Sequence, residues 1–171
     1  EECDDGNVDA GDGCSASCVL QPSPDCVSIN FPTNAGIRVD DHLDLKFATG
    51  FTFSAWVRPL DNVFERTVFS KPRSSMGSGL ALRASTERVN IFFCGPGGCG
   101  SYCDADAGEG LPEAAWSHVS ATWDGQKIEL YVNGSLVDSN PCTETPGSVN
   151  DTPFFIGTEW LDAPADRTFL G

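Results

Sequence analysis

The chain has 171 residues, of which 40% are hydrophobic and 10% aromatic, enough apolar material for one substantial core and a small appendage. Its formal net charge of −15 argues against a nucleic-acid backbone or an anionic membrane surface as partner, since both need clustered Lys and Arg. No apolar run is long enough to insert into a membrane as a helix, which leaves cations, neutral ligands or proteins.

Residues 1 to 26 form a separate acidic unit, in which Glu1, Glu2, Asp4, Asp5, Asp9, Asp12 and Asp25 all precede the first basic residue, Arg38. Val8, Val19 and Leu20 are nearly its whole apolar content, so disulfides among Cys3, Cys14, Cys18 and Cys26 must supply the order that packing cannot. Asp4, Asp5, Asn7, Asp9 and Asp12 place oxygen ligands among glycines, a donor set suited to calcium. Asp5, Asn7 and Asp9 copy the start of an EF-hand spacing, but Ala10 and Ala16 stand where that loop needs glycine and glutamate. The other reading is a solvated acidic turn pinned by disulfides. Pro22 and Pro24 then form a short stiff connection.

From Val27 onward the pattern is all-β: short aromatic and β-branched runs between turn residues, with no sustained 3.6-residue apolar period. Strands are expected near 27–31, 35–40, 51–59, 64–70, 78–84, 87–94, 117–123, 126–132, 135–139 and 153–158. On the strand from Phe51, the residues Phe51, Phe53, Ala55 and Val57 share one face and Thr52, Ser54, Trp56 and Arg58 the other. Core packing under covering loops is the favoured role for Trp56, with exposure for a sugar as the alternative. The glycine-rich stretch from Cys94 to Pro112 is expected to be a surface loop held by disulfides.

Trp116 to Ser139 reads as a three-stranded meander with tight turns at Asp124-Gly125 and Asn133-Gly134. Two-residue turns there set Ala121 opposite Ile128, Val119 opposite Leu130 and Leu130 opposite Val137. Val119, Ala121, Trp123, Ile128, Leu130 and Val137 then share the buried face.

The eight cysteines suit an oxidising compartment and group as Cys3, Cys14, Cys18, Cys26 and as Cys94, Cys99, Cys103, Cys142, with connectivity left open inside each group. Zinc is the weaker reading of the Cys14-x3-Cys18 and Cys99-x3-Cys103 spacings. Asp40, Asp41 and Asp44 form a second candidate metal cluster, and Asp104, Asp106 and Glu109 crowd the long loop. Trp56, Tyr102, Asp104, Asp106 and Trp160 are the candidate ligand-binding residues.

Trp116, His118, Val119, Thr122, Asp124, Gly125, Leu130, Tyr131, Val132, Asn133 and Gly134, together with FTFSAWVRP and FFIGT, resemble the signature of laminin G-like jelly rolls in the concanavalin A-like lectin and glucanase superfamily. That resemblance covers 27–171 and implies a jelly-roll β-sandwich, lacking the closing strand that in relatives follows a phrase like Phe169-Leu170-Gly171. It also makes His118 a structural histidine and implies calcium at a rim of the sandwich. CDDGN followed by GDGCSASC is similar to the myxococcal cysteine-rich repeat, and resemblance to Notch-type repeats adds to the case for calcium in that segment.

Retaining glucanases of the superfamily carry E-x-D-x-x-E on one strand. The nearest stretch here, Asp104-Ala-Asp106-Ala-Gly-Glu109, begins with Asp and lies in the expected loop, so no catalytic residue is assigned. The expected function is therefore non-catalytic, calcium-dependent recognition of carbohydrate or extracellular protein by a secreted or surface-displayed adhesion module within a larger chain. A glycoside hydrolase, or an accessory domain of a pappalysin-like metalloprotease, is the alternative.

Overall fold

A computed structural model describes residues 28–32, 35–61, 66–72, 79–146, 151–159 and 168–171. The chain divides into Glu1–Asn30 and Phe31–Gly171, and every strand among the described residues belongs to the second unit. In chain order these are β1 (Ile37–Val39), β2 (Phe51–Val57), β3 (Thr67–Lys71), β4 (Leu80–Ala84), β5 (Val89–Gly95), β6 (Gly98–Asp106), β7 (Ser117–Trp123), β8 (Lys127–Val132), β9 (Ser135–Pro141) and β10 (Phe154–Ile156). They form two antiparallel sheets, one ordered β1-β10-β3-β4-β5-β6 and one ordered β2-β7-β8-β9.

Alternation explains the shorter sheet. Phe51, Phe53 and Val57 of β2, Val119, Ala121 and Trp123 of β7, and Ile128 and Leu130 of β8 turn inward and are buried, while their neighbours face away from the core. The inward rings meet those of the longer sheet: Phe51 lies 5.9 Å from Phe93 and Phe53 5.6 Å from Phe69, centroid to centroid. Gly157, with φ 77°, closes the core near β10, where an added Cβ would fall 2.4 Å from the Phe31 ring.

The meander keeps its predicted faces on β7 and β8 but not its predicted registers. Trp123 pairs with Ile128 and Ala121 with Leu130, a two-residue offset from the expected pairs that preserves parity. The Asp124 carboxylate causes it: Oδ1 accepts the amides of Gln126 and Lys127, both at 2.9 Å, so Asp124 opens the turn and Gly125-Gln126 form its centre. Asn133 and Gly134 do occupy the next turn, both with positive φ (50° and 79°). A bulge between Leu130 and Tyr131 then sets Leu130 against Asp138, not Val137. Val137 is exposed, which corrects its expected place in the core.

Two further expectations are corrected. Residues 28–31 form no strand; instead Phe31 docks its ring edge-on against Phe169 at 6.4 Å, and its N–H donates to the Gly171 carbonyl at 2.9 Å. The stretch after Cys94 is not a loop throughout, because Gly98–Asp106 is the edge strand β6, paired with β5 from Asn90↔Asp106 to Cys94↔Tyr102. Its inward residues, Cys103 and Ala105, are too small to announce a strand, and the Cys94–Cys99 disulfide staples the glycine-rich turn of the hairpin.

Along the seam between the sheets, the bulge turns alternate β9 residues toward β6. Asp138 Oδ2 accepts the Asp106 amide at 2.9 Å, Asn140 Nδ2 donates to the Asp104 carbonyl at 3.0 Å, and Cys142 is bonded to Cys103. Side chains of one sheet thereby satisfy the edge of the other.

Candidate functional site

The outward face of β2, β7 and β8 carries the residues that the core alternation leaves over. Trp56 is 66% exposed and lies directly opposite His118, ring centroids 5.3 Å apart and tilted by 59°. The favoured core role for Trp56 is thus corrected: β2 turns Phe53 and Val57 inward, and no described loop covers the indole. His118 is fixed on both sides of its chain. Its ring Nε2 is hydrogen-bonded to Ser54 Oγ at 2.7 Å, its amide donates to Asn133 Oδ1 at 2.9 Å, and its carbonyl accepts the Asn133 amide at 2.8 Å.

Val57 and Ser117, the last pair of the β2/β7 ladder, are buried, so Arg58 and Trp116 point to the same side as Trp56 and His118. Trp116 is 54% exposed, and Arg58 Nε donates to the Ala114 carbonyl at 2.9 Å. Below this aromatic end come two polar rows, Ser54–Ser120–Tyr131 and Thr52–Thr122–Glu129. Residues two apart on a strand are separated by about 6.7 Å, so the face from Trp56 to Thr52 runs about 13 Å.

The polar end is electrostatically settled. Glu129 receives the Lys127 ammonium at 2.6 Å and the Tyr131 hydroxyl at 3.1 Å. The Lys127 contact holds the Glu129 carboxyl below its ordinary range, and Glu129 in turn raises both Lys127 and Tyr131. A hydroxyl-bearing ligand would meet two indoles, each more than half exposed, at one end and fixed hydroxyl, phenol and carboxylate groups along the rest. That chemistry stacks and hydrogen-bonds.

The other predicted residues lie elsewhere. Tyr102 is exposed on β6, in the other sheet, and is not brought together with Trp56. Asp104 and Asp106 do share a face, but on a strand; Asp106 is ion-paired with Arg88 and its Oδ1 caps the Gly108 amide at 2.8 Å, while Glu109 lies beyond the strand. Asp41 accepts Lys46 on Oδ2 and Lys71 on Oδ1, each at 2.6 Å; Asp40 pairs with Arg38, and Asp44 adjoins His42. Among the described residues no three His, Cys, Asp or Glu side chains converge as a cation site would require. Asp4, Asp5, Asn7, Asp9, Asp12, Trp160 and the cysteines Cys3, Cys14, Cys18 and Cys26 lie outside the described residues.

A family model described as the concanavalin A-like lectin/glucanases superfamily matches residues 31–171. The chain belongs to this superfamily. No curated protein matches the sequence. Among solved structures, the Ruminococcus gnavus IT-sialidase CBM40 bound to α2,3-sialyllactose aligns with TM-score 0.69 at 12% identity, over 84% of this chain and 83% of that one. Domain 4 of AbnA, a GH43 extracellular arabinanase from Geobacillus stearothermophilus, in complex with arabinotriose, aligns with TM-score 0.60 at 20% identity, over 80% of this chain and 62% of that one. Mouse laminin alpha1 chain domains LG4-5 align with TM-score 0.57 at 16% identity, over 83% of this chain and 37% of that one. The chain therefore spans less than two thirds of the arabinanase domain and of the laminin fragment.

This superfamily member is a disulfide-bonded domain that resembles domains of extracellular proteins. Sequence reasoning placed Arg58 on the face of Trp56 without naming it a ligand residue, and passed over Trp116 as a ligand residue and the outward placement of His118. The signal that finds them is strand parity: His118 on β7 and Trp116, just before its start, are opposite in phase to Val119 and Ala121.

Proposed function

We propose that this domain is a non-catalytic carbohydrate-binding module of a secreted or surface-displayed protein, with the outward face of β2, β7 and β8 as its binding platform. The observation that carries the reading is Trp56, exposed at 66% and buttressed by His118, on a face otherwise lined by Ser, Thr and Tyr hydroxyls. An exposed indole held in place on a strand provides contact area at little entropic cost, which is what a weakly apolar sugar face needs. Two structural neighbours, the sialidase domain and the arabinanase domain, were solved with oligosaccharides. The disulfides support an extracellular setting.

Affinity electrophoresis of the chain through gels containing soluble polysaccharides tests the proposal. Retardation by at least one polysaccharide, lost in Trp56→Ala without loss of the folded state, is the expected result; equal retardation of the variant removes the platform. The calcium requirement is assigned to the donor-rich segment 1–26, and its test is separate. A chelator should lower the melting temperature of the chain, and an unchanged melt removes calcium from the account.

A further inference from the structure

We infer that Arg58 forms an anion subsite beside the two indoles, so that the glycan taken up carries a single acidic group, a carboxylate or a sulfate, near the sugar that stacks on Trp56; this rests on the carbohydrate reading above. Arg58 leaves the end of β2 on the same side as Trp56, and its guanidinium is anchored through one nitrogen only, Nε to the Ala114 carbonyl at 2.9 Å. The side chain is exposed and makes no other hydrogen bond or ion pair among the described residues, which leaves its terminal N–H donors for a carboxylate or sulfate bound in bidentate fashion.

The anchor is built from a costly conformation. Ala114 has φ 53°, a left-handed region that residues with a Cβ seldom occupy, and it is locked there by donating its own amide to the Pro59 carbonyl at 2.8 Å. The clasp turns the Ala114 carbonyl toward Arg58 and fixes where the cation stands. Trp116 follows two residues later and is 54% exposed, so Arg58 shares one face with two open aromatic side chains.

Charge accounting selects a ligand with one acidic group. Lys127, the other cation on this face among the described residues, is engaged by Glu129 at 2.6 Å. Arg58 is thus the cation left for a ligand there, in a chain of net charge −15 whose field repels polyanions. A glycan with one acid group gains the ion pair, whereas a highly sulfated chain meets more repulsion than attraction.

Calorimetric titration of the full 171-residue chain with matched pairs tests this: 3′-sialyllactose against lactose, 3′-sulfolactose against lactose, and methyl β-glucuronide against methyl β-glucoside. The acidic member of at least one pair should bind roughly three- to tenfold more tightly at low ionic strength. Arg58→Gln should bring that ratio to near one, Arg58→Lys should restore part of it, and heparin should bind no better than the monoanionic ligands. The preferred pair distinguishes sialate, sulfate and uronate. Equal binding within every pair, or a ratio unchanged by Arg58→Gln, overturns the subsite while Trp56-dependent binding of neutral sugar keeps the platform. Absence of any glycan binding overturns both.

Discussion

Asp138 and Asp106 are joined across the two sheets, the Asp138 carboxylate accepting the Asp106 amide at 2.9 Å. They meet because the bulge at Leu130/Tyr131 turns Asp138 inward and Val137 out. Asp138→Ala should cost about 1–2 kcal/mol, the range for an amide left without its acceptor. Inserting one alanine between Val137 and Asp138 should cost more, since it shifts Asp138, Asn140 and Cys142 by one position and reverses their parity together. Urea denaturation of both variants checks the order, and equal stability of the insertion and the parent would exclude the phase of β9 as the organiser of the seam.

The covalent part of that seam invites a comparison. Cys103–Cys142 closes a sequence separation of 39 and Cys94–Cys99 one of 5, so chain-entropy arguments assign about 4 and about 2 kcal/mol respectively. Replacing Cys103 and Cys142 by Ser should lower the melting temperature distinctly further than replacing Cys94 and Cys99. The reverse order would mean that the hairpin, not the seam, limits stability.

Much of this fold is legible in the sequence because large inward residues alternate with polar ones: Phe51, Phe53 and Val57 define β2, and Val119, Ala121 and Trp123 define β7. β6 escapes because its inward residues are Cys103 and Ala105 and its turn is glycine-rich, so the pattern carries no bulk. The register of Asp124-Gly125 escapes for a different reason. Whether that aspartate opens a turn or sits at its centre is decided by hydrogen bonds from the Gln126 and Lys127 amides, which composition does not encode. The face of Trp56 is readable from parity, but whether loops cover that face depends on tertiary structure.

Lys71 is wholly buried and reaches Asp41, which also receives Lys46. Hydrogen bonds from Lys46 first and Lys71 second hold the Asp41 carboxyl below the ordinary carboxylate range. A depressed folded-state value means that the stabilisation is fully present above the unfolded carboxylate's titration and is lost as pH falls below about 4. Melting temperature should therefore drop between about pH 5 and pH 2, and Asp41→Asn should flatten that slope. A variant with the parent's acid sensitivity would assign the slope to other carboxylates.

Trp56 is mostly exposed, so Trp56→Ala should change folding stability by less than about 0.5 kcal/mol while abolishing glycan affinity. A large loss of stability in this variant, seen by thermal melting, would mean that the indole is structural.

The platform is tested most directly by following the tryptophan indole N–H signals in a nuclear magnetic resonance titration with an oligosaccharide that the chain retains. Trp123 is an internal control, because its Nε1 is buried and donates to the Cys142 carbonyl at 3.1 Å. The account predicts saturable shifts at Trp56 and Trp116 with Trp123 unmoved. Saturable binding that leaves Trp56 and Trp116 unmoved and instead perturbs Tyr102 and its β6 neighbours would contradict it.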